Sequence, residues 1–326
     1  TTPEEADTMT LVDTADLRLR ETPATPESPA PPARPRTDRP RRSLLRTALI
    51  VATTALLAVL VAAALLFHAS GGRWFIVQTP SMGTAAPVGT LVLTEPTALE
   101  DVRVGDAVSF HPTTTPDETY THRVVEIADD GTLRTRGDIN GAVDPWATGQ
   151  DQLIGVVTTA LPVLGWLVRG LPLLIIGAVL VQLLTRFIAS PTQRASMRIL
   201  GLSLVASVTV FVLRPLVGIV VLEATVDSGT TNATLVSTGV LPIRVSAEGA
   251  DPVDLVSGQV GRLRIPAHDG DAYALSSALH LPFWGWVIFV LLCAIPVLYT
   301  VFVGLPGEPE RTAERGRRAA REEETA

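Results

Sequence analysis

Four long apolar runs constrain this chain more than any other feature of its sequence. About 20 helical residues cross the hydrocarbon core of a bilayer, and apolar runs of that length lie at residues 47–67, within 161–188, within 199–222 and at 282–304. The first run contains no charged side chain. We therefore predict a membrane protein with four transmembrane helices, and a lipid bilayer as its first partner.

Arginine placement predicts how these helices are oriented. The chain contains no lysine, and three groups of its arginines lie before the first run, between the second and third, and after the fourth. The groups are Arg34, Arg36, Arg39, Arg41, Arg42 and Arg46; Arg186, Arg194 and Arg198; and Arg311, Arg315, Arg317, Arg318 and Arg321. Cytoplasmic loops carry an excess of Lys and Arg. We predict a multi-pass protein of the cytoplasmic (plasma) membrane with both termini cytoplasmic and residues 68–160 and 223–280 outside.

The composition of the remaining segments gives a domain division. Residues 1–43 are rich in Pro, Thr, Glu and Arg, with few apolar side chains to bury, which is typical of a disordered segment. The first run lacks a small-residue cleavage site close behind it and is interpreted as a retained anchor. The predicted division is a cytoplasmic tail 1–43, helix 44–67, a β-rich catalytic domain 68–160, two helices in 161–222, an outward β-rich module 223–280, helix 281–305 and a cytoplasmic tail 306–326.

Residues 74–158 contain short apolar stretches separated by turn residues, a pattern that predicts strands. The predicted strands are 89–93, 107–110, 120–128, 132–136 and 153–158, with a hairpin turn at 129–131. They indicate a small, partly barrel-like all-β domain. Trp74 and Phe75 fit two roles, either in an aromatic belt at the membrane interface or in the core of the first strand.

The second outward segment shows alternation at 240–245 and 259–265, which predicts a small β-sandwich-like module. We expect no chemistry there: His268 and His280 are predicted to be isolated surface residues. Arg214 falls within the third apolar run, where an arginine is costly. We predict a structural role for it, by pairing with Glu223, snorkelling outward or lying at a proline kink.

Four residues of the first β-rich segment are candidates for catalysis: Ser81, His122, Asp138 and Asp144. A serine hydroxyl becomes a useful nucleophile when a base accepts its proton. The chain has no lysine and arginine does not deprotonate, which leaves histidine as the natural base. A carboxylate on the far ring nitrogen would orient it. Taken singly, each residue is more often a turn or packing residue.

Together, the segments around these residues resemble type I signal peptidases, in the Ser-His branch of the endoplasmic reticulum, archaea and some Gram-positive bacteria. The ordinary bacterial branch has lysine at the position of His122. Order and spacing both fit over residues 44–159. The matching segments are Ser81-Met82, 87–92, 104–108 (Val-Gly-Asp and an apolar strand), 121–125 around His122, Gly137-Asp138-Ile139-Asn140 with Asp144, and 155–157.

The resemblance implies roles for the four candidates. Ser81 would be the nucleophile and its N–H an oxyanion donor, and His122 the general base and then acid. Asp144 is the better match for the orienting carboxylate, with Asp138 sharing that role or holding the loop. The chain departs from the family at Gly83-Thr84, where Glu-Pro is usual, and in its four spans and added outward module.

The sequence thus predicts a membrane-bound serine endopeptidase that acts on signal peptides of secreted preproteins, with small residues before the scissile bond. It predicts no cofactor, no metal and no nucleic-acid partner, and it does not indicate an oligomeric state. One alternative is a catalytically silent scaffold that binds a secreted partner through the outward module. A weaker alternative is a self-processing membrane regulator.

Overall fold

A computed structural model describes residues 39–227, 229–266 and 274–302, with the backbone alone for residues 39–46. The predicted tails up to residue 38 and from residue 303, with their arginines, and His268 lie outside the described residues. Four helices of the described part are long and apolar enough to cross a membrane, as predicted. They are α1 (Arg39–Ala69), α2 (Leu164–Thr185), α3 (Pro191–Leu213) and α4 (Phe283–Phe302).

Helix α3 begins earlier and ends earlier than its apolar run. Ser190 caps its first turn by accepting a hydrogen bond from the Gln193 N–H, and Pro191 follows at the first helical position, where proline is favoured. At the other end, Arg214 adopts a left-handed conformation (φ 49°) before Pro215, which disfavours helical geometry in the residue before it.

Arg214 therefore lies at the end of α3 and not inside a span, and the sequence-based placement was wrong. Its side chain is exposed, and no ion pair with Glu223 is found among the described residues. Residues 219–222, which had been assigned to the third run, belong to a strand because the sequence there is rich in β-branched residues.

The first β region, here called the N-terminal β domain, is one antiparallel sheet with strand order β1-β2-β6-β3-β4-β5. Its strands are β1 (Arg73–Ile76), β2 (Leu91–Glu95), β3 (Ala107–Phe110), β4 (Tyr120–Ile127), β5 (Leu133–Arg136) and β6 (Leu153–Leu161). Val108, Phe110, Val124 and Leu133 form its main core. A second cluster of Met82, Ala86 and Val92 lies beneath the Ser81 segment.

Of the two aromatic residues at the start of the domain, Phe75 is a core residue and Trp74 is not. Trp74 is 45% exposed and stacks on Phe67 of α1, with ring centroids 6.4 Å apart. Phe75 instead packs against the cluster that contains Met82. Because only three residues separate the end of α1 from the start of β1, this β domain starts at the end of an apolar helix.

The second β region, here called the C-terminal sandwich, consists of two three-stranded sheets ordered β10-β9-β12 and β11-β8-β7. Its strands are β7 (Ile219–Asp227), β8 (Thr230–Ser237), β9 (Ile243–Ala247), β10 (Val253–Leu255), β11 (Val260–Ile265) and β12 (Leu275–Leu279). Side chains from both sheets, including Leu235, Ile243 and Leu263, share one core. The sandwich prediction holds, with the first strand starting four residues before the predicted boundary.

Helix α2 is seated on the N-terminal β domain. The Trp166 indole N–H donates to the Val88 carbonyl at 3.1 Å. Gly89 has a positive φ of 85° and lies directly against the Trp166 ring, where a Cβ would overlap the indole. The turn that leads from the Ser81 segment into β2 is thus fixed by the start of an apolar helix.

Candidate active site

Ser81 lies on a single turn of 3-10 helix, Pro80–Met82. Pro80 fixes φ at the start of this turn. Gly83 ends it with a positive φ of 54°, and its N–H donates to the Pro80 carbonyl at 2.8 Å. Met82 is almost fully buried in the core beneath. The Ser81 side chain is therefore carried by a short turn that is anchored on its far side.

His122 faces Ser81 from the middle of β4. Its Nε2 lies 3.1 Å from the Ser81 Oγ. The residue is 4% exposed, and the rings of Phe110 and Tyr120 contact its ring edge-on, with centroids 6.2 and 5.8 Å away. This packing leaves the imidazole little freedom to turn away from the serine.

Asp144 completes the chain of hydrogen bonds. Its Oδ2 lies 2.7 Å from His122 Nδ1 and also accepts a bond from the Thr135 hydroxyl at 2.6 Å. The Asp144 N–H donates to the Thr135 carbonyl at 2.9 Å, which fixes the loop against β5. An ionised carboxylate can only accept, so the proton of a neutral His122 lies on Nδ1. Nε2 is then free to accept the Ser81 proton.

Asp138 has a different partner. Its two oxygens accept from Nε and Nη2 of Arg123, both at 2.7 Å, and Arg123 also donates to the Gly105 carbonyl at 2.9 Å. The hydrogen bonds to Asp138 raise the pKa of Arg123 above its ordinary value. Asp138 thus ties its loop to the side of β4 opposite His122, and of the two aspartates Asp144 is the one that contacts the histidine.

The loop of Asp138 also supports the serine directly. The Ile139 N–H donates to the Ser81 carbonyl at 3.0 Å. A Cβ on Gly137 would come within 2.8 Å of the Ser81 Cβ. A side chain at position 137 would therefore displace Ser81, which explains why a glycine precedes Asp138.

Two neighbouring cavities flank Ser81. The larger, of about 520 Å³, contains Ser81 and His122 in its wall together with residues 75–79 and 117–121. The smaller, of about 250 Å³, is lined mainly by small and apolar side chains such as Ala85, Ala86 and Ala107. Thr121 belongs to both linings. The larger cavity thus gives an extended peptide chain access to Ser81, and the smaller one is a mainly apolar recess next to it.

Three residues of the site were not among the sequence-based candidates. Thr79 has its hydroxyl 3.4 Å from the Ser81 Oγ, and its position two residues before the serine was the only available signal. Arg123 follows His122 directly in the sequence. Thr135 gave no signal, because a threonine in a strand is ordinary and its bond to Asp144 depends on the fold.

The other candidate chemistry of the chain is limited. In the described ranges, no group of three or more His, Cys, Asp or Glu side chains is arranged to hold a metal ion.

His280 is not isolated, contrary to the prediction: its Nε2 lies 3.4 Å from an oxygen of Asp254 and 3.1 Å from a nitrogen of Arg244. Arg244 binds Asp254 through two hydrogen bonds and lowers the pKa of Asp254 below its usual range.

Comparison with protein-family models gives no match, and comparison with curated proteins gives none either. The function of the protein is therefore inferred from the residues and distances of the site itself. These are a hydroxyl, an imidazole and a carboxylate in one hydrogen-bonded chain beside an open cavity.

Proposed function

We propose that this protein is a membrane-bound serine endopeptidase that removes signal peptides from exported preproteins. One observation carries the proposal: Asp144, His122 and Ser81 form a continuous chain with contacts of 2.7 and 3.1 Å, and the serine opens on a cavity. This arrangement can activate a serine for acyl transfer. A catalytically silent scaffold has no need to keep the three groups within hydrogen-bond reach.

The proposed reaction follows from the tautomer of His122, which carries its proton on Nδ1 and can accept one at Nε2. The Ser81 Oγ attacks the scissile carbonyl carbon while His122 Nε2 accepts its proton, and Asp144 stabilises the resulting imidazolium. His122 then donates that proton to the leaving amine as the C–N bond breaks, which leaves an ester on Ser81. Water attacks the ester, His122 accepts one of its protons, and the serine hydroxyl is restored as the carboxylic product departs.

Charge that develops on the carbonyl oxygen needs a donor beside Ser81. The Ser81 N–H is one candidate, and the Thr79 hydroxyl, 3.4 Å from the Ser81 Oγ, is close enough to be another. Removal of one such donor costs about 2.7–4 kcal/mol of transition-state stabilisation in enzymes of this type. The proposal thus assigns Thr79 to the catalytic machinery.

The substrate class follows from the cleft and its setting. The smaller recess beside Met82 is lined mainly by small and apolar side chains and can accept the side chain of a small apolar residue such as alanine next to the scissile bond. Signal peptides carry such residues after an apolar core, and that core leaves the cleavage site near the bilayer surface. Only three residues separate α1 from β1, so the cleft belongs to a domain attached closely to an apolar helix. We assign this domain to the outer face from the arginine distribution.

A preprotein assay tests the proposal. Full-length protein in proteoliposomes is incubated with a preprotein that carries an Ala-x-Ala site, and the new N-terminus is identified by mass spectrometry. We expect one cut directly after the Ala-x-Ala sequence, and at least 100-fold slower cleavage when both alanines are replaced by tryptophan. Cleavage at unrelated positions, or none with any of several preproteins, would contradict the proposal.

A further inference from the structure

The C-terminal sandwich touches the segment that carries the nucleophile. A Cβ on Gly258 would overlap the Gly83 carbonyl oxygen and come within 2.6 Å of the Gly83 carbonyl carbon and 2.9 Å of the Thr84 nitrogen. In return, a Cβ on Gly83 would lie 3.5 Å from the Gly258 oxygen. Two backbones therefore meet directly, without intervening side chains, two residues after Ser81.

Both glycines of this contact are shielded from solvent, and hydrogen bonds hold the turn that carries Gly258. Gly83 and Gly258 are both buried, although each belongs to a turn. Gly258 has a positive φ of 75°, and its N–H donates to the Ser237 carbonyl at 2.8 Å. The side chain of Gln259 accepts from the Val256 N–H at 3.1 Å. The turn at 256–259 is thus a rigid feature that presents a bare backbone to its neighbour.

The segment under this turn has little room to shift elsewhere. A Cβ on Gly83 would come within 2.6 Å of the Ile139 side chain, and the Ile139 N–H holds the Ser81 carbonyl at 3.0 Å. Gly83 is also the residue whose N–H closes the 3-10 turn of Ser81. The loop of Asp138 and the turn of Gly258 therefore hold the nucleophile segment between them.

We infer that the turn at 256–259 is a positioning element of the active site, so that the C-terminal sandwich is required for Ser81 to lie in line with His122. This inference rests on the proposed peptidase function. It also gives a physical reason for glycine at position 83, because a longer side chain there would meet Ile139. The sandwich acts through Gly83 and does not itself touch the substrate.

The test is Gly258→Ala in full-length protein, with the preprotein as substrate. The added methyl group must push the Gly83 carbonyl away, and a displacement of about 1 Å in an active site can cost about 100-fold in rate. We expect kcat to fall 10- to 100-fold with KM within about twofold of wild type, because most of the residues that line the two cavities lie outside the displaced segment.

Gly249→Ala is the matched control. Gly249 also has a positive φ, of 72°, in an exposed turn of the same sandwich, but its Cβ would meet only Pro266 at an ordinary 3.5 Å. Both variants carry the same kind of backbone strain, and only one presses on the nucleophile segment. Equal kcat values for Gly258→Ala and Gly249→Ala would overturn the inference.

A second variant covers the case in which Gly258→Ala fails to fold. Gln259→Ala removes the exposed side chain that fixes the turn but adds no atom to the contact. We expect kcat to fall two- to fivefold with an unchanged KM. A folded Gln259→Ala with wild-type kcat would overturn the inference.

Hydrogen exchange separates this inference from the proposed function. If wild type cleaves no preprotein, the function fails, but the Gly83 and Ala85 amides still report on the segment, since they donate to the Pro80 and Met82 carbonyls. We expect these amides to exchange at least 10-fold faster in Gly258→Ala than in Gly249→Ala. Equal exchange in the two variants would show that the turn does not hold the segment.

Discussion

At the scale of single residues, the two aspartates that follow β5 have different partners. Asp144 is buried and binds His122 and Thr135, whereas Asp138 is partly exposed and binds Arg123. The resemblance favoured Asp144 as the orienting carboxylate but left a shared role for Asp138 open, since six residues of a turn-rich loop place either one within reach of a strand. The separation depends on β4, where the neighbouring residues His122 and Arg123 point to opposite faces of the sheet. Asp144 lies on the face of His122, and Asp138 lies on the face of Arg123.

Asp144→Asn tests the orienting carboxylate. An amide can donate to Nδ1 and so favour the tautomer that carries its proton on Nε2, which cannot accept from Ser81. We expect kcat to fall by about 10⁴-fold with KM almost unchanged. Preprotein cleavage measures this, with the exposed Asp151→Asn as a control that stays within twofold of wild type. A loss of less than 10-fold in Asp144→Asn would remove Asp144 from the mechanism.

Asp138→Asn should have a much smaller effect. Its ion pair with Arg123 is partly exposed, with side chains 24% and 36% accessible, and pairs of this kind contribute about 0–1 kcal/mol. We expect a fall of less than 10-fold in kcat and a slight decrease in thermal stability. Kinetics and thermal unfolding measure both. If Asp138→Asn were as inactive as Asp144→Asn, the assignment of the two aspartates would be wrong.

At the scale of elements, some bounds were predicted more closely than others: β2 lies two residues later than predicted, β6 ends three residues later, and α1 and α3 each begin eight residues before their apolar runs. Strand β3 lies at the predicted residues 107–110, and β4 and β5 differ from prediction by one residue at one end. Helix α3 begins eight residues before its apolar run, because the polar first turn after Ser190 is held by a cap and not by apolar burial. A hydropathy pattern does not detect such a turn.

The contact between α2 and the N-terminal β domain predicts a stability difference between two glycines. Gly89→Ala would drive a methyl group into Trp166, while Gly105, with a φ of 100°, has no neighbour within 4 Å of its Cβ. We expect Gly89→Ala to destabilise the protein by about 1–3 kcal/mol more than Gly105→Ala. Thermal unfolding in detergent compares them, and equal melting temperatures would show that α2 does not hold the turn.

The sandwich should show a local pH dependence through Asp254. The hydrogen bonds from Arg244 lower the pKa of Asp254, so their stabilisation is present above the ordinary Asp pKa, about 3.9, and is lost as pH falls through the lowered value. We expect wild type to melt slightly above Asp254→Asn at pH 7 and level with it in strong acid. Asp251→Asn, an exposed neighbour, should show no such convergence.

At the scale of the whole molecule, the sequence predicted the parts but not how they meet. The four apolar helices follow from the length of the apolar runs, and the β-rich domain and the sandwich follow from strand patterns. The contact of Gly258 with Gly83 does not, since the two glycines are 175 positions apart and no local pattern links them. Long-range contacts between bare backbones leave no pattern in a single sequence.

Sidedness gives a prediction at this scale. In a Cys293→Ala background, single cysteines replace Asp151 in the N-terminal β domain, Ser276 in the sandwich and Arg186 in the connection between α2 and α3, all of them exposed. We expect a membrane-impermeant maleimide to label positions 151 and 276 in intact cells, and position 186 only after lysis. Labelling of position 186 alone in intact cells would invert the topology.

The most direct test of the central claim compares preprotein cleavage by wild type, Ser81→Ala and His122→Ala, with Ser276→Ala and His280→Ala from the sandwich as matched controls. The account predicts that the first two substitutions lower kcat at least 10³-fold. The two controls should cleave the preprotein within twofold of wild type. Cleavage at the wild-type rate by Ser81→Ala would contradict the account, because a group other than the Ser81 hydroxyl would then have to attack the peptide bond.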